Sequence, residues 1–313
     1  MAAASTSGSG RDIGGSGGGW AAGEMEVEAY RRLFPLPFYE RHLLDSVRPD
    51  ARPLHRARDT SIALGPVASA DGSALVKIGD TTMLAAIKLE VMTPSADAPD
   101  EGSLAIEFHM PPICSPIVRP GRPAEVAPVV SKQLSDVILS SGMINLKELS
   151  LITGKAAWMA YLDIYCLNSD GSLFDASLLS AIAAFSHLQI PLVSLSDDGR
   201  VVAVSGDLLE DESTPELVNK ERKLLLHSIP FSLTCILHKK YILADPTAEE
   251  ESIMETSITV VLDSSERLVS IYKPGGPVLA HTSTVKDCIV LTKHRMKELQ
   301  NILEESLSAM EVV

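Results

Sequence analysis

The sequence predicts an α+β fold of two similar halves, each a set of strands followed by a helix. Three observations carry this. Residues 156–190 pass from a strand pattern to a helix pattern across one polar break, Asn168 to Asp175. Strand-like runs punctuated by Gly and Asp come before that segment. After Pro191 a second set of strand pairs begins, and it closes in a long amphipathic helix.

Taken in order, residues 1–24 are Gly/Ser/Ala-rich without an apolar middle, which reads as a disordered tail and not a secretory signal. The first half, 25–190, opens with a helix from Met25 to Ser46 broken near Pro35 and Pro37. From Arg58 to Met92 the runs Ala74 to Ile78 and Met83 to Val91 are the clearest members of an antiparallel meander, with turns at Ala70-Asp71-Gly72 and Gly79-Asp80. An extended run, Ser103 to Met110, follows a Pro/Asp-rich loop. Arg119-Pro120-Gly121-Arg122-Pro123 forms a rigid basic loop before a helix carrying Val126, Val130, Leu134, Val137 and Ile138, with Gly142 as its C-cap.

In the central strand Trp158, Ala160, Leu162, Ile164 and Cys166 share one face, and Met159, Tyr161, Asp163 and Tyr165 the other. That composition predicts a strand covered on both faces. In the helix that follows, Asp175 is the expected N-cap, and Leu178, Leu179, Ile182, Phe185 and Leu188 make it apolar nearly all round. Such a helix belongs between two layers.

The second half, 191–313, starts with a hairpin of Leu192 to Leu195 and Arg200 to Val204 across Asp197-Asp198-Gly199, then an acidic surface segment, Gly206 to Arg222. Phe231 to Leu237 pairs with Tyr241 to Ala244, and Ser257 to Leu262 with Leu268 to Tyr272. The last helix runs from about Thr284 to Met310, and at ~1.5 Å per residue it spans about 40 Å.

Composition bounds the function. With 313 residues and 45% hydrophobic content a sizeable core can be buried, and no apolar run reaches the length of a membrane span. A formal charge of -14 argues against a free-standing nucleic-acid binder, so any RNA contact is local or shared with partner chains. The four cysteines, Cys114, Cys166, Cys235 and Cys288, show neither CxxC nor Cys/His metal spacing and read as buried reduced thiols.

Chemistry has three candidate places: Arg48 to Arg52, Asp170 to Ala176, and Asp245 to Glu251. By residue pattern alone Asp170 and Gly171 are turn formers, Asp245 before Pro246 is a turn starter, and Glu249 to Glu251 is a solvated loop. His109, His187 and His294 have no ligand-spaced partners in the sequence. No cofactor and no metal site is expected. Arg48, Arg52, Arg119 and Arg122 are the candidate contacts to an RNA backbone, with ion pairing across subunit interfaces as the equal alternative.

Five motifs in order, RPDAR at Arg48, ADGSALVKIGDTT at Ala70, SDGSLFDA at Ser169, ADPTAEEE at Ala244 and YKPGG at Tyr272, resemble the RNase PH family, specifically its exosome ring subunits. The resemblance covers roughly Tyr30 to Met310. It implies the RNase PH-like fold, of the ribosomal protein S5 domain 2 type. It also implies a six-membered ring with other RNase PH-like subunits, RNA-binding cap subunits above it, and RNA passing through the central pore. No membrane partner is implied. The expected places of work are nucleus, nucleolus and cytoplasm, in rRNA maturation and in turnover of mRNA and noncoding RNA.

Active relatives hold inorganic phosphate on a Thr-Arg or Ser-Arg pair in the turn after the central strand, where this chain has Leu173 and Phe174. A dianion beside an aspartate needs a guanidinium or several N–H donors, and a Phe offers neither. Active relatives also carry two aspartates six positions apart, matched here by Asp245 and Glu251. The expectation is a degenerate site in a noncatalytic ring subunit. The alternatives are an active phosphate-dependent 3' exoribonuclease and a metal-dependent hydrolase using Asp245, Glu249 and Glu251.

Overall fold

A computed structural model describes residues 18–116, 118–121, 124–195, 201–203, 216–217 and 222–311. The chain divides into two compact units, Met1–Pro53 and Leu54–Val313.

The first unit carries helices α1 (Gly18–Leu33) and α2 (Pro35–Leu44). Pro35 and Pro37 are tolerated because they fall in the first turn of α2, where the missing N–H costs nothing. The helix thus begins at Gly18, inside the stretch expected to be a disordered tail, and residues 1–17 lie outside the described ones. Tyr30, Phe34, Phe38 and His42 stack along one side of α1 and α2 with ring centroids 4.5–6.5 Å apart.

The second unit holds the sheets. Strands β1 (Thr60–Leu64), β2 (Gly72–Ile78), β3 (Thr81–Met92), β4 (Ser103–His109), β5 (Ser150–Ile152) and β6 (Ala156–Asn168) form one sheet in the order β1-β2-β3-β6-β4, with β5 on β6. The meander is antiparallel as its turns predict, but β4 pairs with β6 in parallel. Helix α3 (Ala127–Ser141), between them in the chain, supplies the crossover that a parallel pair requires. It packs on β4 and ends on Gly142, whose left-handed φ of 68° makes the expected C-cap.

One face of β6 is buried from Ala156 to Cys166, but Tyr161, Tyr165 and Leu167 on the other are 39–42% exposed. The strand expected to be covered on both sides is therefore covered on one. Helix α4 (Leu173–His187) is buried on every side from Asp175 to Phe185, packed on β2 and β3 on one side and on β12 (Pro230–His238) on the other. This explains its all-round apolar sequence.

Between α4 and β12 lie β7 (Gln189–Ile190), β8 (Val193–Leu195), β9 (Val201–Ala203), β10 (Glu216–Leu217) and β11 (Arg222–Lys223). The expected hairpin exists as β8 against β9, its Asp197-Asp198-Gly199 turn lying outside the described residues. Most of the segment from Gly206 to Arg222 lies outside them too. The second sheet has the order β13-β12-β14-β15, using β13 (Tyr241–Ala244), β14 (Ser257–Asp263) and β15 (Leu268–Tyr272). The short α5 (Ala248–Ile253) joins β13 to β14, and α6 (Thr282–Glu311) packs on β1, β12 and β14. Because α4 shares one core with strands of both halves, no break in compactness falls at residue 190.

All four cysteines are buried and unpaired by disulfide. Burial beside Cys114 pushes the Cys166 thiol up to about 12, far from the reactive thiolate range.

Candidate functional site

The site forms where the turn between β6 and α4 meets the segment from Ala244 to Ser252. Gly171 has φ 77°, and a Cβ there would stand 2.6 Å from Thr247 C and 2.7 Å from Ala248 N. Only glycine lets the two backbones approach this closely. The helix starts earlier than Asp175: Ser172, at φ 49°, is the N-cap residue, and Leu173 opens the helix. Asp175 lies inside the first turn, where it accepts from the Ser232 hydroxyl and the Thr234 N–H, both at 2.6 Å.

The acidic stretch after β13 is not a solvated loop. Thr247 and Glu250 cap α5 reciprocally, the Thr247 side chain accepting from Glu250 N and Glu250 Oε2 accepting from Thr247 N at 3.0 Å. Glu250 is buried as a result. This turns Glu251 toward α4, and its Oε1 accepts from the Ser172 N–H at 2.9 Å. An N–H that faces outward at a helix start, the natural seat of an anion, is thus already bound to a carboxylate of the same chain.

Asp245 is likewise held. Arg58, 7% exposed, donates from Nη2 to Asp245 Oδ1 at 2.7 Å, and from Nε and its backbone N–H to Oδ2 at 3.0 and 2.7 Å. The same guanidinium donates from Nη1 to Asp170 Oδ2 at 3.2 Å and to the Asp170 carbonyl, and from Nη2 to the Pro246 carbonyl at 3.3 Å. Sequence reasoning missed Arg58, which lies 187 positions from Asp245 and in no acidic motif. Its only signal was an arginine just ahead of a strand.

Three carboxyls share this small volume and titrate differently. Burial alone would raise Asp245, but the hydrogen bonds and charge of Arg58 outweigh it and bring it to about 2. Burial pushes Glu251 up to about 7, against the Ser172 N–H and with help from the neighbouring Asp175 charge. Burial raises Asp175 to about 6 despite Ser232 and Thr234.

Leu173 and Phe174 are half-buried and pack against the core. A cleft of about 700 Å³ opens beside them, lined by Arg119, Ser169, Gly171, Leu173 and Glu251 among others. Of the four arginines read as RNA contacts, Arg119 is exposed and lines this cleft. Arg48 is 1% exposed and Arg52 closes on Asp50 at 2.6 Å, so neither presents its charge outward as expected. Arg122 lies outside the described residues. The YKPGG motif is structural: Gly276, at φ 92°, approaches Thr256, and a Cβ there would stand 2.6 Å from Thr256 Cα.

Comparison with known proteins gives the family. Residues 56–191 match the first domain of the 3' exoribonuclease family (RNase PH) and residues 228–295 its second. The chain is 32% identical over 261 residues, 83% of its length and 92% of the relative's, to exosome complex component Rrp42 of Methanopyrus kandleri. It is 30% identical over 266 residues, 85% of its length and 94% of the relative's, to exosome complex component rrp43 of Schizosaccharomyces pombe. A solved Archaeoglobus fulgidus exosome with RNA bound to the active site has a chain that superposes with a TM-score of 0.73 at 26% identity, covering 88% of this chain and 98% of that one. This chain therefore belongs to the 3' exoribonuclease family of the RNase PH fold.

Proposed function

We propose that the chain is a noncatalytic subunit of an exosome-type ring, contributing to assembly and to the RNA path without turning over RNA itself. Relatives that it resembles over most of its length are named as exosome components, which supports the ring role. The observation that carries the noncatalytic part is that the site satisfies itself. Arg58 neutralises Asp245, Glu251 holds the Ser172 N–H, and Leu173 and Phe174, which the resemblance sets at the phosphate-holding pair, pack against the core. An entering phosphate would have to displace a carboxylate from its N–H and would meet Asp175 and Glu251, with the guanidinium of Arg58 already taken by Asp245 and Asp170. Phosphoryl transfer depends almost wholly on positioning and charge compensation, so losing one such cation costs ~10³-fold or more.

The wider reading follows: a six-membered ring with other RNase PH-like subunits, RNA-binding cap subunits, RNA in the central pore, and work in nucleus, nucleolus and cytoplasm. Within it, residues 25–190 and 191–313 act as the two halves of the subunit, with Arg119 at the cleft as the exposed arginine for an RNA backbone.

Two experiments test this. A tagged chain is expected to co-purify with other RNase PH-like proteins, and recovery of the chain alone would sink the ring role. Purified chain with RNA, magnesium and phosphate is expected to release no nucleoside diphosphate. Release that scales with phosphate would establish the active exoribonuclease instead.

A further inference from the structure

The open face of the large sheet carries a second cluster of titratable groups that plays no part in the site above. β4 and β6 are parallel and in register, so Glu107 lies directly opposite Asp163 and His109 opposite Tyr165. Like charges directly opposed across strands repel. Among the described residues, the ionic neighbour of both carboxylates is His109, with Nε2 3.6 Å from Glu107 Oε2 and 3.8 Å from Asp163 Oδ1. Neither is paired with a Lys or Arg there. These separations are too long for hydrogen bonds. They are close to the spacing around an ion, since ligands ~2.1 Å from a tetrahedral centre lie roughly 3.4 Å apart.

The cluster is also preorganised. Glu107, His109 and Asp163 can each offer one ligand atom, all within 4.8 Å of one another. They stand on two strands held by main-chain pairing, and the imidazole stacks on Tyr165 with ring centroids 4.7 Å apart and planes 23° from parallel. Side chains between 38% and 70% exposed leave further positions open to water or to a group from a partner.

We infer that Glu107, His109 and Asp163 form a binding site for a divalent transition-metal ion of the zinc type on this sheet face. One imidazole with two carboxylates suits zinc and its first-row neighbours, whereas magnesium and calcium favour oxygen ligands alone. The ion would cancel the cross-strand repulsion, which no ion pair with a Lys or Arg among the described residues offsets. The inference is independent of the noncatalytic reading.

The test uses the full chain, stripped with a chelator and dialysed against zinc sulfate. One ion per chain is expected, not displaced by excess magnesium. His109→Ala and Asp163→Asn are each expected to weaken zinc binding at least tenfold, since even indirect partners of a metal site cost 10–100-fold. His227→Ala, which alters the separate His227–Glu148 pair at 3.5 Å, should leave it unchanged. Both substitutions fall on solvent-facing positions, and circular dichroism checks their folding. A zinc-dependent rise in the melting temperature of the unaltered chain gives a readout that needs no variant. Absence of zinc uptake and of that rise, or equal uptake by a folded His109→Ala chain, would reduce the cluster to a surface ion-pair patch and overturn the inference.

Discussion

Two acidic clusters in this protein solve the same electrostatic problem in opposite ways. In the buried one, Asp245 and Asp170 close on Arg58, and Glu251 and Asp175 are held by N–H and hydroxyl donors. On the open sheet face, Glu107 and Asp163 face each other with a single imidazole between them. The difference teaches where compensation is compulsory. Away from water an unpaired charge costs several kcal/mol, so the fold must supply an internal cation, whereas at the surface solvent screens the repulsion down to tenths. In the buried cluster the internal guanidinium, Arg58, is committed to Asp245 and Asp170.

The comparison breaks first at Arg58. Arg58→Met leaves Asp245 buried and uncompensated, and a loss of about 3–5 kcal/mol is expected in chemical denaturation. A loss below about 1 kcal/mol would mean that the buried cluster is solvated after all, and no different from the surface one. Gly171→Ala comes next. Its cost of roughly 2–4 kcal/mol combines left-handed strain with overpacking against Thr247 and Ala248.

Dependence on pH separates the carboxyls within the buried cluster. Asp245, held at about 2, contributes stability that is present above the unfolded value near 4 and lost as pH falls toward 2. Glu251 at about 7 and Asp175 at about 6 act in the other direction. The folded state binds their protons where the unfolded chain does not, so stability falls as pH rises from about 4 to about 7. Glu251→Gln keeps an acceptor for the Ser172 N–H and removes the charge. It is expected to flatten that slope and to raise stability at pH 8 by about 1 kcal/mol, read from denaturation curves across the pH range. An unchanged slope would assign the titration elsewhere.

The smallest effect sharpens the contrast from the surface side. Glu107→Gln removes one member of the like-charged pair, and a stabilisation of a few tenths of a kcal/mol is expected in the absence of metal. A change above about 1 kcal/mol would show that this face is not screened as an open surface is.

Much of the fold was legible because periodicity reports burial directly. The all-round apolar run from Leu178 to Leu188 required a helix between layers, and α4 is that helix. The Asp/Gly turns fixed the meander, and Gly142 its C-cap. What was misread came from local pattern standing in for tertiary context. Tyr161 and Tyr165 looked covered because aromatic residues suit a buried strand, yet no layer packs on that face among the described residues. Glu249 to Glu251 looked like a solvated loop because a charge run usually is one, and a capping box drew Glu250 inward instead.

By itself, then, the sequence determined which segments are strands and helices, and that Leu173 and Phe174 bring no charge to the turn between β6 and α4. Only the tertiary structure decided where the charges meet. It paired Arg58 with an aspartate 187 positions away, and it set Asp163 beside His109 through a parallel register that no local turn signals. The physical reason is range. Hydrophobic periodicity and turn chemistry act between neighbours along the chain and can be read from it. Charge compensation acts through space, over a few ångströms that exist only once the chain has folded.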